Sequence, residues 1–152
     1  MTKKELTAAL ANHAFLRGMP AAKLKTLTGL ARTVTATSGT YLLRENSPAD
    51  SFFLIQSGRV AIELHAPDRG PMRIQTLAEG EAVGWSWLVP PYRWQFDARV
   101  IEPITALALD AAELRDACAA DDELGYLLLK RLVVEIASRL SATRLQLLDV
   151  YR

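Results

Sequence analysis

Between residues 33 and 110 the apolar residues fall into short runs separated by glycines, and that pattern confines the chain to a small antiparallel β architecture. The runs are Thr33 to Thr37, Tyr41 to Leu43, Phe52 to Gln56, Arg59 to Leu64, Met72 to Leu77 and Phe96 to Leu109. Gly39, Gly58, Gly70 and Gly80 supply the turns between them. Many short strands at close spacing predict a barrel or sandwich, not a parallel sheet with crossover helices. On either side the period becomes helical. Leu6, Leu10, Phe15 and Leu16, then Leu24, Leu27 and Leu30, predict short helices over residues 4 to 31, with Pro20 placed to open the second. Asp110 is expected to cap a short helix running through Arg115 to Cys118, and a long helix is expected to start near Asp121 or Asp122.

The long helix carries two apolar stripes. Leu129, Val133, Ile136, Leu140, Thr143, Leu147 and Val150 alternate spacings of four and three, a heptad seam that predicts a homodimer through paired C-terminal helices. Val134, Ala137, Leu145 and Leu148 form a second stripe, expected to pack on the barrel. The alternative is a single amphipathic helix lying on its own domain.

Composition narrows the function. One domain of 152 residues buries enough surface to fold without metal or disulfide. Eighteen basic against seventeen acidic residues leave a net charge of +1, without the basic excess of a dedicated nucleic-acid binder. Cys118 is the only cysteine, so no intrachain disulfide, zinc cluster or iron–sulfur centre can be built from cysteines. The start lacks a signal-peptide core and no stretch approaches a membrane span, so a cytoplasmic location without membrane association is expected.

From Gly39 to Ile62 the order Gly, strand, turn, Ala49-Asp50, Phe52 to Ile55, then Ser57-Gly58-Arg59-Val60 resembles the front half of a cyclic nucleotide-binding domain. Leu77-Ala-Glu-Gly80-Glu-Ala-Val-Gly84 is similar to the segment entering that family's phosphate-binding cassette. Ala98 to Leu109 resembles the strand pair leaving it, and Arg139-Leu-Ser-Ala-Thr143 the long helix of the bacterial catabolite-activator branch. The resemblance implies a mainly β fold with flanking helices. It would be a double-stranded β-helix (jelly-roll) barrel over 33–110, with N-terminal helices over 1–32 and C-terminal helices, including a dimerisation helix, over 111–152. All of it forms a single domain, 1–152. Gly39 and Gly58 suit positive-φ turns, and the Asp50 carboxylate is expected to hold its turn through backbone amides.

The family cassette holds a cyclic phosphodiester with a Gly-Glu pair on the ribose and an Arg followed by Ser or Thr on the phosphate, beside a short helix N-terminus that favours anions. Here Gly84 is kept, Trp85 stands at the glutamate position, and the arginine position falls on Trp94-Gln95 with Arg93 one residue earlier. All three tryptophans, Trp85, Trp87 and Trp94, lie within residues 85 to 94, with Pro90, Pro91, Tyr92 and Phe96 around them. The prolines stiffen that loop. Two readings stay open: the aromatics line a pocket with Arg93 as its cation, or the tryptophans fill the pocket themselves. The expected ligand site is Gly84, Trp85, Trp87, Arg93, Trp94, Gln95 and Thr143. Thr143 has two readings as well, a contact to bound ligand as in the catabolite-activator branch or a polar residue fixing register.

No resident cofactor is expected; the ligand expected is a cyclic nucleotide or a related small anion, with cAMP bound weakly or not at all. A cupin-like metalloenzyme is a remote alternative, since it would have only His13 and His65 as histidine ligands, and a haem sensor would have only His65 or Cys118 to offer. No catalytic motif stands out, so the chain is not expected to be an enzyme. The sequence stops at Arg152, after the long helix, so direct DNA binding is not expected. The expected function is a stand-alone dimeric sensor module that signals to an effector protein. Its alternative is a ligand-free interaction module.

Overall fold

The computed structural model describes residues 1–150. Helix α1 (Lys3–Asn12) begins at a capping box: the Glu5 amide donates to the Thr2 hydroxyl at 3.1 Å and the Thr2 amide to the Glu5 carboxylate at 3.2 Å. A 3-10 turn (Ala14–Leu16) leads to α2 (Ala21–Thr28), which starts directly after Pro20. Six strands follow, β1 (Ala31–Ala36), β2 (Tyr41–Leu43), β3 (Ser51–Ala66), β4 (Gly70–Leu77), β5 (Ala82–Val83) and β6 (Asp97–Asp110). Helices α3 (Ala111–Ala120) and α4 (Asp122–Val150) come next. Every strand pairing is antiparallel, in the order β1-β6-β3-β4, with β2 also on β6 and β5 on β3.

This is a jelly-roll sheet with flanking helices, hung on its two longest strands. β3 and β6 run side by side from the Ser51–Asp110 pair to the Glu63–Asp97 pair. Residues on both faces of this pair, among them Leu54, Ile55, Val60, Val100 and Leu107, are completely buried. The segments Phe52–Gln56 and Arg59–Leu64, expected as two strands with a turn at Gly58, are one continuous strand. The register shifts around Ser57 and Arg59, so the extra residues form a bulge. Gly58 has φ +89°, and a Cβ there would collide with the Pro103 carbonyl oxygen, so only glycine lets the strands approach this closely. Asp50 also departs from expectation. It is exposed and holds its turn through its backbone carbonyl, which accepts from the Ala111 amide at 3.0 Å.

Asp110 caps α3 by accepting from the Glu113 amide at 2.8 Å. In α4 the side facing the domain is Leu124, Leu128 and Leu132, all buried, continued by half-buried Ile136 and Arg139. The stripe expected on the barrel lies elsewhere: Val134, Leu145 and Leu148 are each about two-thirds exposed. Spacings of four, four, four and three from Leu124 through Arg139 track the domain, and Val134 falls off that line. No helix among the described residues is long and apolar enough to cross a membrane.

The N-terminal helices are fastened through His13. Its Nε2 lies 2.8 Å from the Ile55 carbonyl oxygen and its Nδ1 accepts from the Phe15 amide at 3.1 Å, so the neutral ring uses both nitrogens. Burial, the largest influence, holds this imidazole below its ordinary 6.5, against the opposing pull of the Ile55 carbonyl and Glu79. The unfolded chain therefore binds the proton first, and stability present at neutral pH is lost as pH falls through about 6.5. The melting temperature should drop between pH 7.5 and 5.5, and a His13→Gln variant should melt lower but lose that slope; an equal slope in both proteins would contradict the assignment.

Candidate functional site

Where β5 hands the chain to the loop before β6, the tryptophan-rich segment folds back on the barrel. Residues 85–89 form turns, not a helix: the Leu88 amide donates to the Trp85 carbonyl at 3.0 Å and the Val89 amide to the Ser86 carbonyl at 3.3 Å. The short helix whose N-terminus would receive a phosphate is thus replaced. Gly84, at φ +73°, is required by packing against the chain's own rings, since a Cβ there would lie 2.6 Å from Trp94 Cζ3 and 3.2 Å from Phe96 Cζ.

The three tryptophans divide. Trp87 is 0% exposed and packs at 5.0 Å on Phe52, which in turn meets Phe15 edge-on at 5.4 Å. Trp94 is 2% exposed and lies 5.9 Å from Phe96. Both are core residues. Trp85 alone remains half-buried at the wall of a cavity of about 410 Å³. Ile62 and Leu64 of β3, Ile74 and Gln75 of β4, Ser86, Gln95 and Phe96 of the loop, and Ile136, Arg139, Leu140 and Thr143 of α4 complete that wall.

Of the residues expected to meet a ligand, Trp85, Gln95 and Thr143 therefore border the cavity. Gly84, Trp87 and Trp94 do not border it, and neither does Arg93. An isolated bridge pairs Arg93 with Pro48, the Trp94 amide donates to the Ser47 carbonyl at 3.0 Å, and the Asn46 amide to the Trp94 carbonyl at 2.8 Å. In extended backbone successive side chains face opposite ways, so burying Trp94 turns Arg93 outward. Its guanidinium donates to the Asn46 carbonyl at 2.6 Å on the surface. The pocket's expected cation is corrected to Arg139.

Arg139 was legible only as part of the helix. Its guanidinium donates to the Glu135 carboxylate at 2.8 Å and to the Ala82 carbonyl of β5, and sits 5.5 Å from the Trp85 ring centre. Burial dominates both members of the pair, pushing the Glu135 carboxyl up and the Arg139 guanidinium down, while their mutual attraction opposes each shift. Arg115 of α3 is a second residue the sequence did not single out. It donates to the Trp87 carbonyl at 2.6 Å and lies 4.0 Å over the Tyr92 ring, clamping the loop from outside.

Nearby charges are paired within the barrel. Arg99 grips Glu63 with two hydrogen bonds of 2.8 and 3.1 Å, and this grip holds the Glu63 carboxyl below its usual range. Asp97 accepts from the Glu45 amide at 2.7 Å and stands 3.1 Å from His65 Nδ1. None of them borders the cavity. Among the described residues no group of three or more His, Cys, Asp or Glu is placed to hold a metal ion. Cys118 is half-buried, and burial pushes its thiol up, as for a packing residue.

The two kinds of tryptophan predict different losses. Trp87→Ala should cost roughly 3–5 kcal/mol. Trp87→Phe should cost less, because the Trp87 Nε1 donor is buried without a partner among the described residues and its removal relieves about 1–3 kcal/mol. Arg93→Ala should stay within about 0.5 kcal/mol of the parent. Urea melts of the three variants check the order; an Arg93→Ala loss as large as that of Trp87→Ala would place Arg93 inside.

The family model of the cyclic nucleotide-binding domain matches residues 33–121. No curated protein sequence matches significantly. Among solved structures, a cyclic nucleotide-binding domain from Methylobacillus flagellatus superposes with a TM-score of 0.82 at 20% identity, covering 97% of this chain and 84% of that one. The sensor domain of the transcriptional regulator DNR from Pseudomonas aeruginosa gives 0.72 at 17%, covering 91% and 93%. The regulatory domain of Toxoplasma gondii protein kinase A, crystallised with cAMP, gives 0.71 at 17%, covering 86% and 49%. These likenesses establish a shared fold, and the family match, spanning more than half of the sequence, establishes that the chain belongs to the cyclic nucleotide-binding domain family.

Proposed function

We propose that the protein is a dimeric sensor module in which a small molecule enters the cavity between barrel, aromatic loop and α4, and its presence is passed through α4 to an effector protein. One observation carries this reading: the helix that walls the cavity with Ile136, Arg139 and Thr143 also exposes Leu129, Val133, Leu147 and Val150 to the outside. Ligand contact and subunit contact would thus share one rigid element. A second copy is the occupant that fits the exposed face, because the residues lie at heptad spacing over three repeats, and paired heptad helices cover one another. Leu140 and Thr143 belong to both surfaces, so a paired helix would also close the cavity mouth.

The regulatory domain of Toxoplasma gondii protein kinase A binds cAMP on this fold. Here the carboxylate and phosphate-arginine positions carry Trp85 and the buried Trp94, so cAMP is a poor fit for the remaining space. The burial of Trp87 and Trp94 also favours the second reading, a ligand-free interaction module whose pocket is largely filled by its own side chains.

The wild-type protein should sediment as a dimer at micromolar concentration, and Leu147→Asp, outside the cavity, should sediment as a folded monomer. A monomeric wild-type protein would overturn the dimer. Tryptophan fluorescence should respond to a cavity ligand, because Trp85 borders the space; cAMP should produce no change below millimolar concentration. Submicromolar cAMP binding would contradict the reading of the loop.

A further inference from the structure

Resting on the sensor reading of this cavity, we propose that the site selects an uncharged, largely apolar small molecule carrying a hydrogen-bonding group, not an anion. Its volume, about 410 Å³, lies in the range that takes such ligands. Most of its wall is hydrocarbon, from aliphatic side chains of β3, β4 and α4 and the rings of Trp85 and Phe96.

Among the described residues Arg139 is the single charged side chain on the wall, and its charge is already answered. The Glu135 carboxylate lies 2.8 Å away on the preceding helical turn, the Ala82 carbonyl accepts a further hydrogen bond, and the Trp85 ring is near. An anion entering here would give up its hydration to meet a guanidinium already paired, in a site with no helix N-terminus to replace water. A neutral molecule meets no such loss. The polar group that invites one is Ser86: the residue is 7% exposed, borders the cavity, and its hydroxyl has no hydrogen-bond partner among the described residues. That hydroxyl is not sealed from solvent, so a ligand donor or acceptor can take the place of water on it. Glu135 thereby acts as the selectivity device: it cancels the one cation that could hold a phosphate.

Two fluorescent probes with the same ring skeleton test this directly. N-phenyl-1-naphthylamine is uncharged; 8-anilinonaphthalene-1-sulfonate carries one sulfonate. The full chain should bind the neutral probe one-to-one per subunit and at least about tenfold more tightly than the sulfonate. Glu135→Gln should leave the neutral probe's affinity within about threefold while raising that of the sulfonate by about tenfold, because it exposes the Arg139 charge. Ile74→Trp, which fills the cavity from its half-exposed rim, should weaken both probes by at least about tenfold. A sulfonate bound as tightly as the neutral probe by the wild-type protein, or unmoved by Glu135→Gln, would overturn the ligand class while leaving the site in place. Loss of neither probe in Ile74→Trp, or binding of neither by the wild-type protein, would overturn the site itself.

Discussion

The three-way contact of Arg139 organises this molecule's functional half. One guanidinium joins α4 to itself through Glu135, to the sheet through the Ala82 carbonyl, and to the aromatic loop through Trp85. Beyond Leu132 the helix has no fully buried side chain, so its second half relies on this contact and on the cavity wall for its position over the barrel. The arrangement is expensive, since both charges are taken partly out of water, and removing one member of such a pair leaves the other without compensation. A contact of this kind contributes more to fixing one helix position than to overall stability.

The loop that would cradle a cyclic phosphate has been rebuilt around hydrocarbon. Gly84 is needed so that Trp94 can lie against the backbone, Trp87 extends the Phe15–Phe52 edge-on pair, and Arg115 clamps the outside. The two readings of the tryptophans are therefore complementary. Two rings fill the core, and the third lines what space is left. The consequence is a cavity between sheet, aromatic loop and C-terminal helix whose walls are largely hydrocarbon.

Much of the architecture was legible because its signals are local. The change in hydrophobic period, the Asp110 cap and the helix start at Asp122 each depend on neighbouring residues, and each element lies where the pattern put it. The family pattern was legible from Gly39 to Val60 because its glycines and apolar positions follow strand geometry. The Gly58 bulge was not, since a glycine that lets Pro103 approach from β6 looks the same in sequence as one that makes a turn. Arg93 was misplaced because its direction is set by pairing with Pro48, some forty-five residues away in the chain. Arg139 and Glu135 show a helical i, i+4 charge pair, which usually means a solvated face. Only the position of α4 against β5 reveals that this pair is buried and faces the site.

The Arg139 contact, and not the exposed seam alone, holds the second half of α4 over the barrel. Hydrogen–deuterium exchange of the wild-type protein against Arg139→Ala tests it most directly. Amides of residues 136–150 should exchange at least about tenfold faster in the variant, together with those of β5 and the Trp85 turn, while β3 and β6 keep their protection. Unchanged exchange along α4 in Arg139→Ala would show that the helix holds its place without this contact and would contradict the account.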